Sequence, residues 1–243
     1  ILGDAKVTLQ RLIETVQSKS PDAAKAWTGR VTQLVDEWRT EVDRMRKSDA
    51  TPMRPERVCG ALTEVLPPDG VLVSDTGHAG MWTGGMVEMT HAGQRYIRCA
   101  GSLGWGFPGS LGVKCALPDR PVICFTGDGG MYYHLAELET AARYGINVVV
   151  VVNNNTGLNQ EIPLVDAIYG GGSTQGDDIW RFNKGVNFAK TAESLGCAGI
   201  RVEKPGELKD VLRRALGMNR PVVVEVMTDE QALAPTAWTP KAR

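Results

Sequence analysis

What the chain lacks narrows its function first. No apolar run among its 243 residues approaches the roughly 18 to 20 that a membrane helix needs, so a spanning segment is not expected. The 27 Lys and Arg nearly balance the 28 Asp and Glu, for a formal net charge of -1, and no basic cluster stands out. There is thus no electrostatic case for nucleic acid or an anionic membrane. The five cysteines (Cys59, Cys99, Cys115, Cys124 and Cys197) show no CxxC spacing and several lie inside apolar runs. They read as buried free thiols in a reducing compartment, and hence as a soluble, cytoplasmic protein. Internal repeats and low-complexity tracts are missing. Ile1 opens the stretch ILGDAKVTLQRLIETV with neither an initiator Met nor a basic leader followed by an apolar one, which suggests a piece of a longer polypeptide.

What is present divides into two textures. From Lys6 to about Lys47 the pattern is helical, with Leu9, Leu12, Ile13 and Val16, then Trp27, Val31, Leu34, Val35 and Trp38, separated by SKSPDAA. The segment MRKSDATPMRPE has linker composition and places a boundary near Pro52. Beyond it, short continuous apolar runs at 71–74, 121–126, 147–152, 198–202 and 221–226 alternate with helical patterns at 56–66, 78–88, 108–117, 132–144, 186–195 and 206–217. Continuous rather than alternating runs suit parallel strands covered on both faces. The expected fold is α/β, a doubly wound, mostly parallel sheet with helices on both faces, preceded by a short helical segment. Ligands on such a sheet bind at the carboxyl ends of the strands.

Those ends are where the unusual residues lie. PVICF runs into Thr-Gly-Asp128-Gly129-Gly130, and VVVVV runs into Asn153, Asn154 and Asn155. Adjacent parallel strands are about 4.8 Å apart, so Asp128 and Asn155 can share one crevice. A carboxylate, an amide oxygen and a backbone carbonyl make a hard oxygen set of the kind that suits Mg²⁺ or Ca²⁺. Gly129 and Gly130 permit close backbone approach, and a helix expected to begin near Met131 would aim free N–H groups at the same place. Metal and helix amino terminus together point to a diphosphate. The plain alternative is that Asp128 caps the helix and the asparagines form a turn.

GDG with NN about 26 residues further on resembles the diphosphate-and-metal motif of the thiamine diphosphate (ThDP) enzymes, in the acetolactate synthase, pyruvate decarboxylase and benzoylformate decarboxylase group. SDTGHAGMW (74–82) is similar to that family's D-x-G-x-x-x-M-W segment. AGSLGWGFPGSLGVKCALPDRPVICFTGDG (100–129) resembles its Gly-rich lead into the GDG strand, and WRFNKGVNFAKTAESLGCAGIRVEKPGEL its late helix-strand-helix. The likeness covers roughly residues 53 to 230. It implies that residues 1–52 are the end of a middle domain with a helical linker, and 53–243 a ThDP diphosphate and Mg²⁺ domain.

The resemblance also implies roles. Asp128 and Asn155 would ligate Mg²⁺ by side chain and Gly157 by its carbonyl. Gly129 and Gly130 would offer backbone N–H groups to the diphosphate, with Thr76, Gly77, His78, Gly127 and Leu158 also in contact with the cofactor. Many relatives have Ser at the position of Gly130, so here the backbone must suffice. Gly101 would accept from the aminopyrimidine through its carbonyl, and Leu103 would wedge the cofactor into its V shape. A surface or capping role competes for His78. His134 and His91 read as structural, Glu137 as part of a solvated face or a pair with the loops, and Asn159 and Gln160 as candidates for substrate contact. GWGFPG (104–109) also fits G-x-G-x-x-G with Asp128 about 20 residues on, a dinucleotide-site pattern that leaves the asparagines unexplained.

In the resembling family a glutamate from a separate pyrimidine-binding domain activates the cofactor. That domain is not found in these residues, and whether FAD binds in the middle domain is open. The expected function is the carboxyl part of a ThDP- and Mg²⁺-dependent carboligase acting on a 2-keto acid, acetolactate-synthase-like and inactive alone. A 2-keto acid or acyl-CoA decarboxylase or lyase, or a non-catalytic cofactor-binding subunit, is the alternative. A homodimer or tetramer is expected, with the surface around Met81, Trp82, Leu103 and Trp105 covered by a partner segment.

Overall fold

A computed structural model describes residues 2–16, 21–170 and 180–234. The break between the first two helices at 17–20 and the chain beyond 234 lie outside the described residues. The described residues divide into two compact units, those up to Glu41 and those from Val42 to 234. In the first, α1 (Ala5–Thr15) is capped by Asp4, whose Oδ1 accepts from Val7 N at 3.0 Å, and it buries none of its residues. The helix α2 (Pro21–Arg46) is the longest described element. Its last turn belongs to the second unit, where the buried Arg46 donates to Glu88 at 2.7 Å and to Thr63 Oγ1 at 3.1 Å.

The second unit is built on a six-stranded, all-parallel sheet: β1 (Val71–Ser74), β2 (Arg95–Arg98), β3 (Val122–Gly127), β4 (Val149–Asn154), β5 (Ala198–Val202) and β6 (Val222–Met227), in the order β2-β1-β3-β4-β6-β5. The helices between them are α3 (Pro55–Val65), α4 (His78–Met86), α5 (Gly106–Ala116), α6 (Asp128–Tyr133), α7 (Glu137–Tyr144), α8 (Ile162–Tyr169), α9 (Phe188–Ser194) and α10 (Leu208–Leu216). After β1 the chain goes to the edge at β2, then returns across β1 to β3. The strand order therefore reverses between β1 and β3, the place where open α/β sheets bind ligands.

Strand pleating sorts the valines onto two cores. Leu72, Ile123, Phe125, Val149, Val151 and Val224 face α3 and α10, while Val73, Val122, Cys124, Val150, Val152 and Val223 face α5, α7 and α9. In α10, Leu208, Val211, Leu212 and Ala215 recur at i, i+3, i+4 and i+7 and are all buried, with Arg213 and Arg214 in the last turn, where the helix dipole favours cations. Each fully buried Val or Leu contributes about 1.5 to 3 kcal/mol, so the two faces hold the sheet between the helix layers.

The doubly wound expectation agrees with this architecture, and the differences are local. The edge strand β2 and helix α8 were not expected. The helical pattern at 132–144 is two helices: α6 ends at His134, and Glu137 N–H restarts α7 by donating to the His134 carbonyl at 3.0 Å. The apolar period runs through the break because Met131 and Leu138 both face one core. The first of these helices starts at Asp128, not near Met131. Cys59, Cys124 and Cys197 are buried free thiols as expected, while Cys115 is exposed and Cys99 half-buried. Among the described residues no helix is long and apolar enough to cross a membrane.

Candidate functional site

The carboxyl ends of β1, β3 and β4 enclose a cleft of about 80 Å³. Three loops build it. Behind β1, Thr76 and Gly77 lead into α4 with His78 as its first residue, and Gly77 takes a left-handed φ of 69° that a side chain would strain. Behind β3, Gly127 passes directly into Asp128, Gly129 and Gly130. Behind β4 come Asn155, Gly157, Leu158, Asn159 and Gln160. Leu103 reaches in from the loop after β2, half-buried. Of the predicted cofactor contacts, only Gly101 lies off the cleft wall. It is exposed at φ 94°, and its N–H donates to Thr76 Oγ1 at 3.2 Å, which ties the two loops together.

Asp128 is the centre of the arrangement. It is 2% exposed; Oδ1 accepts from Gly129 N at 2.8 Å and Oδ2 from Gly157 N at 3.0 Å. Burial pushes its carboxyl up to about 7, although the N–H groups of Gly129, Gly157, Thr156 and Asn155 pull the other way. A carboxylate held so poorly solvated at the mouth of a cleft is one that a cation would stabilise. Its bond to Gly157 spans 29 positions and brings the third expected ligand beside the first.

The three asparagines divide their work. β4 continues through Asn154, so Asn153 and Asn154 belong to the strand instead of following it. Asn153 lines the cleft with a buried Oδ1 that has no partner in this structure. Asn154 turns inward: Nδ2 donates to Glu225 at 2.7 Å and Oδ1 accepts from Thr156 N at 3.1 Å. Asn155 returns to the cleft, 5% exposed. Asn159 is buried, donates to the Glu230 carbonyl and keeps an unpartnered Oδ1; His78 likewise keeps an unpartnered Nδ1, and burial lowers its pKa. Three orphaned polar atoms on one cleft wall are what a bound polar group would satisfy.

The glycines fit that reading. A Cβ on Gly129 would stand 2.5 Å from Leu158 Cδ2, and one on Gly157 would stand 2.8 Å from the Trp180 carbonyl. A Cβ on Gly130 would meet Asp75 Oδ2 at 2.5 Å and Thr126 Oγ1 at 2.6 Å. A serine there would be crowded by the Thr126 hydroxyl and the Asp75 carboxylate, which are themselves bonded at 2.9 Å.

Other expectations sort as follows. Trp82 is 1% exposed inside the domain, so it is not surface for a partner to cover; Trp105 packs against the core, and Met81 is 37% exposed. His91 bonds Thr90 Oγ1 and His134 is exposed at the end of α6; neither lines the cleft, nor does Glu137. In GWGFPG the glycines serve packing: Gly106 fits against Asp75 and Gly109 against the Trp105 ring. Two acids were given no role in the sequence reading, although Asp75 opens the D-x-G-x-x-x-M-W segment. Asp75, 0% exposed, accepts from Thr76 N, Gly104 N and Thr126 Oγ1 and so joins three loops; the available signal was that β1 ends in an acid as β3 does. Glu225, also 0% exposed, interrupts the valines of β6. Nor was it visible that 180–182 would pair with the metal loop, through Leu158 N to the Trp180 carbonyl and Phe182 N to the Thr156 carbonyl, both at 2.8 Å.

Fold and cleft together define a doubly wound α/β domain with a polar, glycine-lined cleft at the switch in strand order. The family model for the C-terminal TPP binding domain of thiamine pyrophosphate enzymes matches residues 75–226, and the chain belongs to that family. It is similar to the acetolactate synthase large subunit of Haemophilus influenzae, 32% identical over 236 residues that cover 95% of this chain and 40% of that protein. The acetolactate synthase isozyme 3 large subunit of Escherichia coli is 31% identical over 238 residues, 94% of this chain and 40% of that one. The putative thiamine pyrophosphate-containing protein YdaP of Bacillus subtilis is 29% identical over 237 residues, 97% and 40%. The chain thus spans about two fifths of the length of these curated relatives. Thiamine diphosphate with Mg²⁺ is the cofactor pair of this domain.

Proposed function

We propose that this chain is the carboxyl-terminal, cofactor-holding part of an acetolactate-synthase-like enzyme that joins 2-keto acids. The observation that carries the reading is the convergence of Asp128, Asn155 and Gly157 in one cleft at the switch in strand order. Asp128 and Asn155 would hold Mg²⁺ by side chain and Gly157 by its carbonyl. The N–H groups of Gly129 and Gly130 would bind the diphosphate, with Gly127, Thr76, Gly77 and His78 beside it and Leu158 closing the wall. Leu103, half-buried in the cleft, would support the cofactor in its bent form, and the Gly101 carbonyl would orient the aminopyrimidine. When bound, the cofactor supplies an electron sink for bond changes next to a carbonyl.

What these residues do themselves is bind, orient and exclude water. In the family that the chain resembles, a glutamate of a separate pyrimidine-binding domain activates the cofactor ring. A pyrimidine-binding domain with its glutamate is therefore proposed as the partner, contributed by the rest of the polypeptide or by another copy in a dimer or larger assembly. The cleft is open to solvent, and catalysis of this kind needs it covered. A cytoplasmic setting is supported by the free thiols sealed into the core. Incubation of the intact protein with pyruvate, ThDP and Mg²⁺ tests the reading. Acetolactate is the expected product; acetaldehyde and carbon dioxide alone would replace carboligation with simple decarboxylation.

A further inference from the structure

β6 is a run of valines broken by one acid. Its register sets Glu225 between Val152 of β4 and Arg201 of β5, in the middle of the sheet, where it is 0% exposed. Burying a carboxylate there is costly unless donors surround it. Three do. Asn154 Nδ2 reaches Oε1 at 2.7 Å, Arg201 Nη1 reaches the same oxygen at 3.3 Å, and the Ala189 N–H in the first turn of α9 reaches Oε2 at 3.3 Å. The shortest of these bonds goes to the residue next to a proposed metal ligand.

A carboxylate only accepts, so it fixes which way the Asn154 amide faces: nitrogen toward Glu225, oxygen away. The oxygen then accepts from Thr156 N at 3.1 Å, and this turn closes over Asn155. Thr156 adopts a left-handed φ of 60°, a conformation that a β-branched residue takes only when its surroundings impose it. One step further, Gly157 N donates to Asp128 Oδ2 at 3.0 Å. The sequence of bonds runs from the buried strand to the cleft without a gap: Glu225, Asn154, Thr156, Gly157, Asp128.

We propose that Glu225 is a positioning residue for the cation loop, acting through Asn154 to hold Asn155 and Gly157 in the arrangement that receives Mg²⁺. Glu225 touches neither metal nor cofactor. Its place beneath the loop explains why an acid is kept in a strand that packing alone would fill with valine. The inference rests on the assignment of Asp128, Asn155 and Gly157 as the Mg²⁺ ligands, and the test separates the two.

In the intact protein, Mg²⁺ affinity is measured by calorimetric titration at saturating ThDP, well below each variant's thermal midpoint. Asn154→Ala and Glu225→Leu should each raise the Mg²⁺ dissociation constant about tenfold or more, the usual scale for groups that orient metal ligands. Glu225→Gln keeps an acceptor for Asn154 Nδ2 and should stay within about threefold of the parent. A merely structural role would lower the midpoint of all three while leaving the constant unchanged. If Asn154→Ala does not fold, Asn154→Ser carries the test, since its hydroxyl still caps Thr156 N–H but cannot span to Glu225. Parental Mg²⁺ affinity in a folded Asn154→Ala or Asn154→Ser overturns the proposal. Asp128→Asn is the control for the underlying assignment: if that variant binds Mg²⁺ as the parent does, the ligand assignment fails; if it loses binding while the Asn154 variants do not, only the positioning role fails.

Discussion

The two ends of one sheet each carry a cleft, and the one at the amino ends of the strands is the roomier, about 180 Å³ against about 80 Å³ at the carboxyl ends. Their walls differ in what is left unmade. At the amino ends the polar groups have found each other: Lys114 Nζ donates to the Arg120 carbonyl at 2.8 Å, Asn147 to Asn219 at 2.9 Å, and Arg220 to the Gly196 carbonyl at 3.0 Å. At the carboxyl ends Asn153, Asn159 and His78 each keep a buried atom unpartnered, and Asp128 is a carboxylate that burial holds near neutrality. The lower cleft is a gap between finished surfaces. The upper one, although the smaller, is a surface that a ligand completes, and what marks it is hydrogen-bond accounting.

Substitutions at the two ends should therefore behave unlike one another. Removing the cation's carboxylate gives the largest effect: Asp128→Ala should weaken Mg²⁺-dependent ThDP binding by about a hundredfold or more, because carboxylate count dominates affinity at an oxygen site. Calorimetric titration reads this, and equal ThDP affinity with and without Mg²⁺ in the parent would end the distinction between the two clefts.

Next comes the cradle. Gly130→Ser must push aside Asp75 Oδ2 and Thr126 Oγ1, which would lie at 2.5 and 2.6 Å from the new Cβ. The expected cost is about 1 to 3 kcal/mol of stability, visible as a lowered urea midpoint, despite the hydroxyl's usefulness to a diphosphate.

Leu103→Ala sharpens the comparison differently. A half-buried leucine on the cleft wall loses little stability, so turnover in the intact enzyme should fall about tenfold while ThDP affinity changes less, since the side chain sets geometry more than attraction. A large loss of stability with unchanged turnover would make it a core residue.

The smallest effect belongs to the amino end. Lys114→Ala or Arg220→Ala should leave ThDP affinity unaltered and shift stability by about 1 kcal/mol or less in a thermal melt. Weakened cofactor binding there would show that the two ends are coupled.

Much of this contrast was legible in the sequence, and the reason is local. The strands β1, β3, β4 and β6 announce themselves as apolar runs because both faces are covered, and the edge strand β5 does so more weakly as AGIRV, whereas the other edge strand, RYIR, is exposed at both arginines and carries no such signal. Asp128 and Asn155 stand out because polar groups end apolar strands. Asp75 has the same signature, yet its part depends on partners 29 and 51 positions away, and Glu225 depends on one 71 positions away. Period and composition do not report such pairings. The break between α6 and α7 was hidden for the opposite reason: the apolar spacing continues through it because both helices pack on one core.

The knot at Asp75 has a consequence for how the domain comes into being. Its carboxylate can be surrounded only after β1 and β3 lie side by side and the Gly104 loop has come back over them, so the floor of the cleft is closed by contacts of long sequence separation. Loop closure of that kind is slow and comes after local helices have formed. The cofactor site is thus among the last parts of the domain to become solid and the first to loosen, so the amide proton of Gly104 should exchange with solvent sooner than those of the central strands, which makes it a reporter of local opening at the edge of the cleft.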